Sequence, residues 1–390
     1  MSSVMSTYAR VDIAFERGEG PYLFTADGRR YLDFGSGIAV TTLGHCHPHL
    51  VAALTAQAEK LWHTSNLYRI PGQERLAERL CSASFADKAF FCNSGAEALE
   101  GTIKTVRRYQ FVNGRPERTR VVVFDGAFHG RTLGTLAAGA NEKYREGFQP
   151  VVQGFDRATF GDLDSVQAAV GPETAAILVE PIQGDAAGVR VAPQGFLTGL
   201  REIADANGLL LAFDEVQSGI GRSGRFLAHE WDGVRPDVVA LAKGLGGGFP
   251  IGAVLATEAA AAGMVPGTHG STFGGNPLAA ACANAILDIV LEPAFLKQVV
   301  TTGETLRARL DAVAAAHPEV LIGVRGRGLM IGLQCKIPNG TLVEALRKHG
   351  LLAVVAADNV VRFLPPLIID DVQIDESVAA LDAACRDSAP

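Results

Sequence analysis

An α/β architecture is what this sequence predicts: a mostly parallel sheet flanked by helices, with a smaller α+β part built from the two ends of the chain. Three observations predict it. Short apolar runs recur with helical segments between them, the pattern of a sheet whose strands are buried on both faces. The first fifty residues read instead as a hairpin. The last hundred or so mix long helices with β-rich stretches, and no internal repeat or low-complexity linker interrupts the chain.

Taken in order, Tyr22–Thr25 and residues 30–34 flank Ala26-Asp27-Gly28, a hairpin-like signal. Lys88–Cys92 is a short strand. Residues 96–109 then carry Leu99, Ile103 and Val106 at helical spacing. Strands are expected at 120–125 and 175–179, a helix over about 193–207, and strands at 209–213 and 238–242. Helices over about 276–291 and 303–317 precede β-rich runs at 328–335 and 360–364. The expected division is residues 1–50 contributing to a small domain, 51–276 forming a large domain, and 277–390 completing the small one.

Composition narrows the function. The chain has 390 residues, 48% hydrophobic and 20% charged, a globular balance. Lysine plus arginine is 35 and aspartate plus glutamate 42, so the net charge is 35 − 42 = −7. A mildly acidic chain without charge blocks gives no reason to expect nucleic acid or an anionic membrane as partner. No apolar run approaches the roughly 18 residues of a membrane span. The first residues carry Arg10, Asp12, Glu16, Arg17 and Glu19 where a secretory signal needs an apolar core, so the expected location is cytoplasmic. Six scattered cysteines with no C-x-x-C pair suit reduced thiols.

Three places carry chemistry. Asn93-Ser94-Gly95-Ala96-Glu97 joins a strand to a helix. Ser94 and Glu97 make a capping box, and the N–H groups of such a turn suit a phosphate. Read alone, the turn is first an ordinary capped helix. Asp214, in Phe213-Asp214-Glu215-Val216-Gln217, ends a buried strand. That edge of an open α/β sheet is where ligands bind, and a carboxylate there needs a cationic partner such as a protonated heteroaromatic nitrogen; the alternative is an aspartate capping the next turn. Lys243 ends the apolar run 238–242 and is followed by Gly246, Gly247 and Gly248. Alone it reads as a snorkelling lysine. Together the three supply an aldehyde-binding amine, a partner for a pyridinium and a phosphate anchor, the set that pyridoxal 5′-phosphate requires.

With these motifs in this order, the chain resembles the class III, fold-type I pyridoxal-phosphate aminotransferases, within them most closely the acetylornithine group. The resemblance spans nearly the whole chain. It rests on Tyr31-Leu32-Asp33-Phe34, Gly44-His45-Cys46-His47-Pro48, Asn93-Ser94-Gly95-Ala96-Glu97, Phe128-His129-Gly130-Arg131-Thr132, Val179-Glu180-Pro181-Ile182-Gln183-Gly184, Phe213-Asp214-Glu215-Val216-Gln217, Ala242-Lys243-Gly244, residues 269–277 and Arg362-Phe363-Leu364-Pro365-Pro366-Leu367. It implies a seven-stranded, mostly parallel sheet in the large domain and a homodimer with shared active sites. It implies ping-pong transfer of the δ-amino group of N2-acetyl-L-ornithine to 2-oxoglutarate, a step of arginine biosynthesis. Ornithine, succinylornithine and 4-aminobutyrate enzymes share the cofactor motifs and remain alternatives, as does a non-catalytic protein that kept the fold.

The resemblance also implies roles. Lys243 would condense with the cofactor's aldehyde and then move the proton. Asp214 would hold the pyridine nitrogen protonated, and Gln217 would bond the phenolic oxygen. Ser94, Gly95 and Ala96 would bind the phosphate, Phe128 would stack on the ring, and Glu215 is counted with the cofactor residues. Thr272 would bind the neighbouring subunit's cofactor phosphate, with Ser271 beside it near substrate. Arg131 would hold the substrate carboxylate remote from the reacting amine, and Arg362 the α-carboxylate of glutamate or 2-oxoglutarate. Without the family match each arginine reads equally as half of a surface ion pair.

Two positions depart from the family pattern. Relatives have Glu-Gly-Gly or Glu-Ala-Gly where this chain has Asp185-Ala186-Ala187-Gly188. In the ornithine enzymes that glutamate gates the arginine matching Arg362, so the shorter Asp185 is expected to reach it less well, with altered substrate preference or a looser switch between half-reactions. Arg327 replaces an acidic or uncharged residue, with no account from sequence. His45-Cys46-His47-Pro48-His49 invites a metal, but no second ligand cluster supports it and Pro48 suggests a turn; no metal is expected. A G-x-S-x-G hydrolase elbow and an early G-x-G-x-x-G are both missing.

Overall fold

The alternation of side chains along each strand decides which face it packs. In the computed structural model, which describes residues 3–389, Ile177, Val179, Leu211, Phe213, Val239 and Leu241 share one hydrophobic core. Their neighbours Ala176, Leu178, Leu210, Ala212, Val238 and Ala240 share a second core on the other face. A period-2 sequence buried on both sides is a sheet covered by helices twice over.

From edge to edge the seven strands run Lys88–Cys92, Gly252–Ala256, Val238–Leu241, Leu210–Asp214, Thr174–Val179, Arg120–Phe124 and Phe155–Ala158. The pairs Leu210–Asp214 with Val238–Leu241 and Thr174–Val179 are parallel, as are those of Arg120–Phe124 with its two neighbours. Gly252–Ala256 alone runs against the strands on either side. Most strands therefore bring their C-terminal ends to one edge.

The chain ends meet in a second body. Phe15–Glu19, Tyr22–Thr25 and Arg30–Asp33 form an antiparallel meander, and Leu351–Leu352 adds to it parallel to Arg30–Asp33. The hairpin around Gly28 is the one expected; the strand Phe15–Glu19 is additional. A four-stranded sheet of Leu321–Arg327, Met330–Cys335, Val360–Phe363 and Val354–Ala356 lies beside it. Leu32 and Phe34 share a core with Leu306, Leu333, Phe363 and Leu381.

Two helices differ from expectation. The helix expected from 303 begins at Pro293 and runs to Ala316. Gly303 lies inside it rather than at its start, because a Cβ there would stand 2.7 Å from the Gly328 carbonyl; the glycine permits close packing. The helix Pro277–Val290 contributes Ala279, Ala283, Ile286 and Leu287 to the core of the seven-stranded sheet. The division expected at 276/277 thus falls before a helix that shares the large core.

Among the described residues no single helix is long and apolar enough to cross a membrane; Pro277–Val290 and Pro293–Ala316 pass by length and composition only as a pair bent by 73°.

Candidate active site

Three strand ends and one loop build the site. The strand Val238–Leu241 passes through Ala242 into a short 3₁₀ turn that starts at Lys243, whose φ is 43°. A left-handed backbone at a lysine is strained and persists only where the surroundings fix it. On the neighbouring strand Leu210–Asp214, Asp214 is the last residue. Beyond Lys88–Cys92, Ser94 caps the helix Gly95–Val112, its side chain accepting from the Glu97 N–H. Glu97 accepts from the Asn93 N–H at 2.6 Å, one residue before the cap, and not from the Ser94 N–H; the expected capping box is therefore only half formed, with its second bond shifted to the preceding residue. A helix start of this kind leaves its first N–H groups without intrahelical partners.

These ends converge. Lys243, Asp214, Ser94, Gly95, Ala96, Phe128, Gln217 and Asp185 all line one cavity of about 350 Å³. Glu180, the first residue after Thr174–Val179, lines it too.

The electrostatics are those of a dry, charged pocket. Burial pushes the Lys243 amine down to about 8, and the Arg362 guanidinium adds to the push; Asp214, Glu180 and Asp185 oppose it without winning. Burial, then the Asp214 charge, holds the Glu180 carboxyl well above the usual range. Glu180 accepts from the Phe128 N–H at 3.0 Å. One Asp214 oxygen accepts from the Val216 N–H at 3.0 Å, and the other lies 2.8 Å from His129 Nδ1. His129 Nε2 is buried without a partner among the described residues.

Arg362, on the strand Val360–Phe363, is 2% exposed and reaches the cavity wall from the smaller body. Its Nη2 donates to Asp185 Oδ1 at 2.9 Å and its Nη1 to Gln217 Oε1 at 3.2 Å. The shorter carboxylate therefore does reach the arginine, which corrects the expectation that it would fall short. Gly184 and the turn after it, tied by the Val189 N–H to the Gly184 carbonyl, bring Asp185 close.

Other expected residues stand elsewhere. Glu215 does not face the cavity, which corrects its place among the cofactor residues. Next to Asp214 on extended chain it points the opposite way, into the core, where its carboxylate accepts from the backbone N–H groups of Ala228 and His229 and meets His229 Nδ1 at 2.7 Å. Ser271 Oγ accepts from Asn93 Nδ2 at 3.1 Å and from the Gly274 N–H, while Thr272 is exposed. Arg131 is exposed, its guanidinium 5.5 Å from the centre of the Phe128 ring.

Sequence reasoning missed His129 and Glu180 as site residues. Glu180 carried the signal that exposed Asp214, a carboxylate at the end of an apolar strand. His129 carried none beyond its place beside Phe128. The histidines considered for a metal go separate ways, His45 to Asp33 and His49 to Asp288, each at 2.9 Å.

The site fits pyridoxal 5′-phosphate. A Cβ on Gly95 would stand 2.7 Å from Val216 Cγ1, so only a bare backbone forms the turn there. The buried Asp214 carboxylate suits a cationic ring nitrogen, and the cavity volume lies within the roughly 300–1,000 Å³ of small-ligand pockets. A family model described as class-III aminotransferase matches residues 4–385. An acetylornithine aminotransferase of Mesorhizobium japonicum is 57% identical over 385 residues, covering 99% of this chain and 96% of that one. The solved N-acetylornithine aminotransferase of Stenotrophomonas maltophilia K279a is 38% identical with a TM-score of 0.86, covering 98% of both chains. The ornithine aminotransferase of Toxoplasma gondii ME49 superposes with a TM-score of 0.95 at 31% identity, covering 99% of this chain and 93% of that one.

Proposed function

The chain belongs to the class-III aminotransferases, and from that membership we propose that it moves the δ-amino group of N2-acetyl-L-ornithine to 2-oxoglutarate. The products are N-acetyl-L-glutamate 5-semialdehyde and L-glutamate. Class-III aminotransferases depend on pyridoxal 5′-phosphate. The observation that carries the chemistry is the convergence of Lys243, Asp214 and the turn 94–96 on one cavity. The choice of donor is supported by 57% identity to an acetylornithine enzyme, against 31% to an ornithine enzyme.

When bound, the cofactor withdraws electrons from the carbon that bears the amine. Ser94, Gly95 and Ala96 would hold its phosphate, Phe128 and Val216 would supply apolar walls, and Gln217 would meet its phenolic oxygen. Asp214 would accept from the protonated ring nitrogen, a charge-assisted bond worth about 1.5–3 kcal/mol. His129 fixes the Asp214 carboxylate from the other side. Lys243 Nζ, whose hold on a proton is weakened by burial and by Arg362, would take the proton from the amine-bearing carbon of the donor. Arg131 binds the donor's α-carboxylate. Arg362 binds that of glutamate, which must displace Asp185 to reach it. One site thereby serves two substrates by exchanging a protein carboxylate for a substrate one.

A cytoplasmic homodimer completes the reading. Leu67, Tyr68 and Phe273 are 89%, 69% and 58% exposed, and Asn66 Nδ2 donates to the carbonyls of Ser271 and Gly274. Asn66 thus ties the segment of Leu67 and Tyr68 to that of Thr272 and Phe273, and a second copy covering these exposed side chains would bring Thr272 to its neighbour's cofactor.

The test is glutamate formation by the purified protein with 2-oxoglutarate and each of four donors. We expect kcat/KM for N2-acetyl-L-ornithine to exceed that for ornithine, N2-succinyl-L-ornithine and 4-aminobutyrate by at least about tenfold. Equal or faster turnover of any other donor overturns the assignment.

A further inference from the structure

Arg131 is exposed, and aromatic rings hold its guanidinium. Among the described residues its guanidinium meets ring faces and no acid: it lies 3.6 Å from the centre of Tyr144 and 5.5 Å from that of Phe128. A guanidinium held by its face keeps its in-plane N–H donors for a carboxylate.

Tyr144 is itself anchored. It closes the 3₁₀ turn Glu142–Tyr144, whose N-cap Asn141 accepts from the Lys143 N–H. Arg145, the next residue, donates to the carbonyls of Leu136, Ala137 and Gly139. The Tyr144 ring stands edge-on to Phe128, with centroids 6.2 Å apart and planes at 87°. Phe128 in turn is fixed through its N–H to the buried Glu180. A continuous chain of contacts thus runs from the sheet edge to the Arg131 guanidinium.

We propose that Tyr144 is the positioning residue for the donor's carboxylate: its ring holds the Arg131 guanidinium flat, donors outward, for the carboxylate of an N2-acyl amino acid. The proposal rests on the donor reading above. It assigns a role to the aromatic face, not to the hydroxyl.

N-acetyl-L-norvaline, the donor without its δ-amine, is the probe, because it offers the same carboxylate and cannot react. Its binding to the holoenzyme is measured by calorimetry for the wild type, Tyr144→Leu and Tyr144→Phe. The leucine keeps apolar bulk and removes the π face; the phenylalanine keeps the face and removes the hydroxyl. We expect Tyr144→Leu to bind the probe about tenfold more weakly, Tyr144→Phe to bind it as the wild type does, and both to retain the cofactor with unchanged affinity. The donor's KM rises in parallel while kcat holds. Equal probe binding by Tyr144→Leu overturns the proposal alone, as does equal weakening in Tyr144→Phe. Cofactor affinity lost in step with probe affinity also overturns it, by showing a general loosening. A wild type that ignores the probe overturns the donor reading and the proposal together.

Discussion

Lys243 answers why a sequence would end a buried strand in a single amine. The fold removes water from that amine and sets Arg362 beside it, so the lysine is held near about 8 instead of its ordinary value. The sign follows: below about 8 the amine carries a proton and cannot attack an aldehyde, and above it the amine is free. Uptake of pyridoxal phosphate by the cofactor-free protein is expected to slow about tenfold per pH unit below about 8 and to level off above it. Arg362→Met removes one cause of the lowering and moves that midpoint upward, as rapid-mixing absorbance can show; an unmoved midpoint contradicts the electrostatic account. Asp185 gives a second prediction. Its side chain is 29% exposed while that of Arg362 is 2%, so the pair is only partly screened. Asp185→Ala frees the arginine, and the KM for glutamate is expected to fall about threefold to tenfold, while a rise contradicts the gate. Lys243 and Asp214 were legible because each ends an apolar run. Glu215 was misread because a sequence does not say which of two neighbouring carboxylates faces the cavity; His129 was missed because its partner lies 85 positions away.

At the scale of elements, strand neighbours fix the turn that opens the helix Gly95–Val112. Gly252 pairs with Cys92 across the sheet, and a Cβ there would stand 2.4 Å from the Ser94 carbonyl oxygen. Gly252→Ala therefore pushes the backbone of the turn itself. The expected cost is about 1–3 kcal/mol of stability, together with weaker retention of the cofactor, read by dialysis and absorbance. Full retention would show that the turn does not depend on its neighbour. Five of the seven strands of the central sheet were legible from apolar runs of five or six residues; the edge strand Phe155–Ala158 was not, because its sequence FDRA carries no apolar run. The antiparallel direction of Gly252–Ala256 was not, because a strand buried on both faces reads the same in either direction. The start of the helix at Pro293 was hidden by Gly303, whose missing side chain serves packing and resembles a helix stop in sequence.

At the scale of the molecule, two bodies must stay in register, because Lys243 belongs to one and Arg362 to the other. Arg222 is a fully buried tie between them: its Nη1 donates to the carbonyls of Leu329 and Pro365, and burial alone pulls its guanidinium down to about 9. Arg222→Met leaves two carbonyls unpaired at about 1–3 kcal/mol each. We expect faster hydrogen exchange in Met330–Cys335 and Val360–Phe363, with the central strand Thr174–Val179 unchanged. Uniform exchange across both bodies would show that the tie is not local. Dimer formation is tested by Phe273→Asp, which should lower the sedimentation coefficient and the activity together. Activity kept by a monomer contradicts the shared site. That the two chain ends contribute to one small body was an expectation of the sequence; the strand pairing of Leu351 with Leu32, 351 − 32 = 319 positions apart, was not legible.

The most direct test of the central claim is the visible spectrum of the purified holoenzyme when N2-acetyl-L-ornithine is added without an oxo acid. If Lys243 and Asp214 run amino transfer on bound pyridoxal phosphate, the yellow form is lost on adding the donor and restored by 2-oxoglutarate, and Lys243→Ala shows no such cycle. A holoenzyme whose spectrum ignores the donor, or a Lys243→Ala variant that still cycles, contradicts the account.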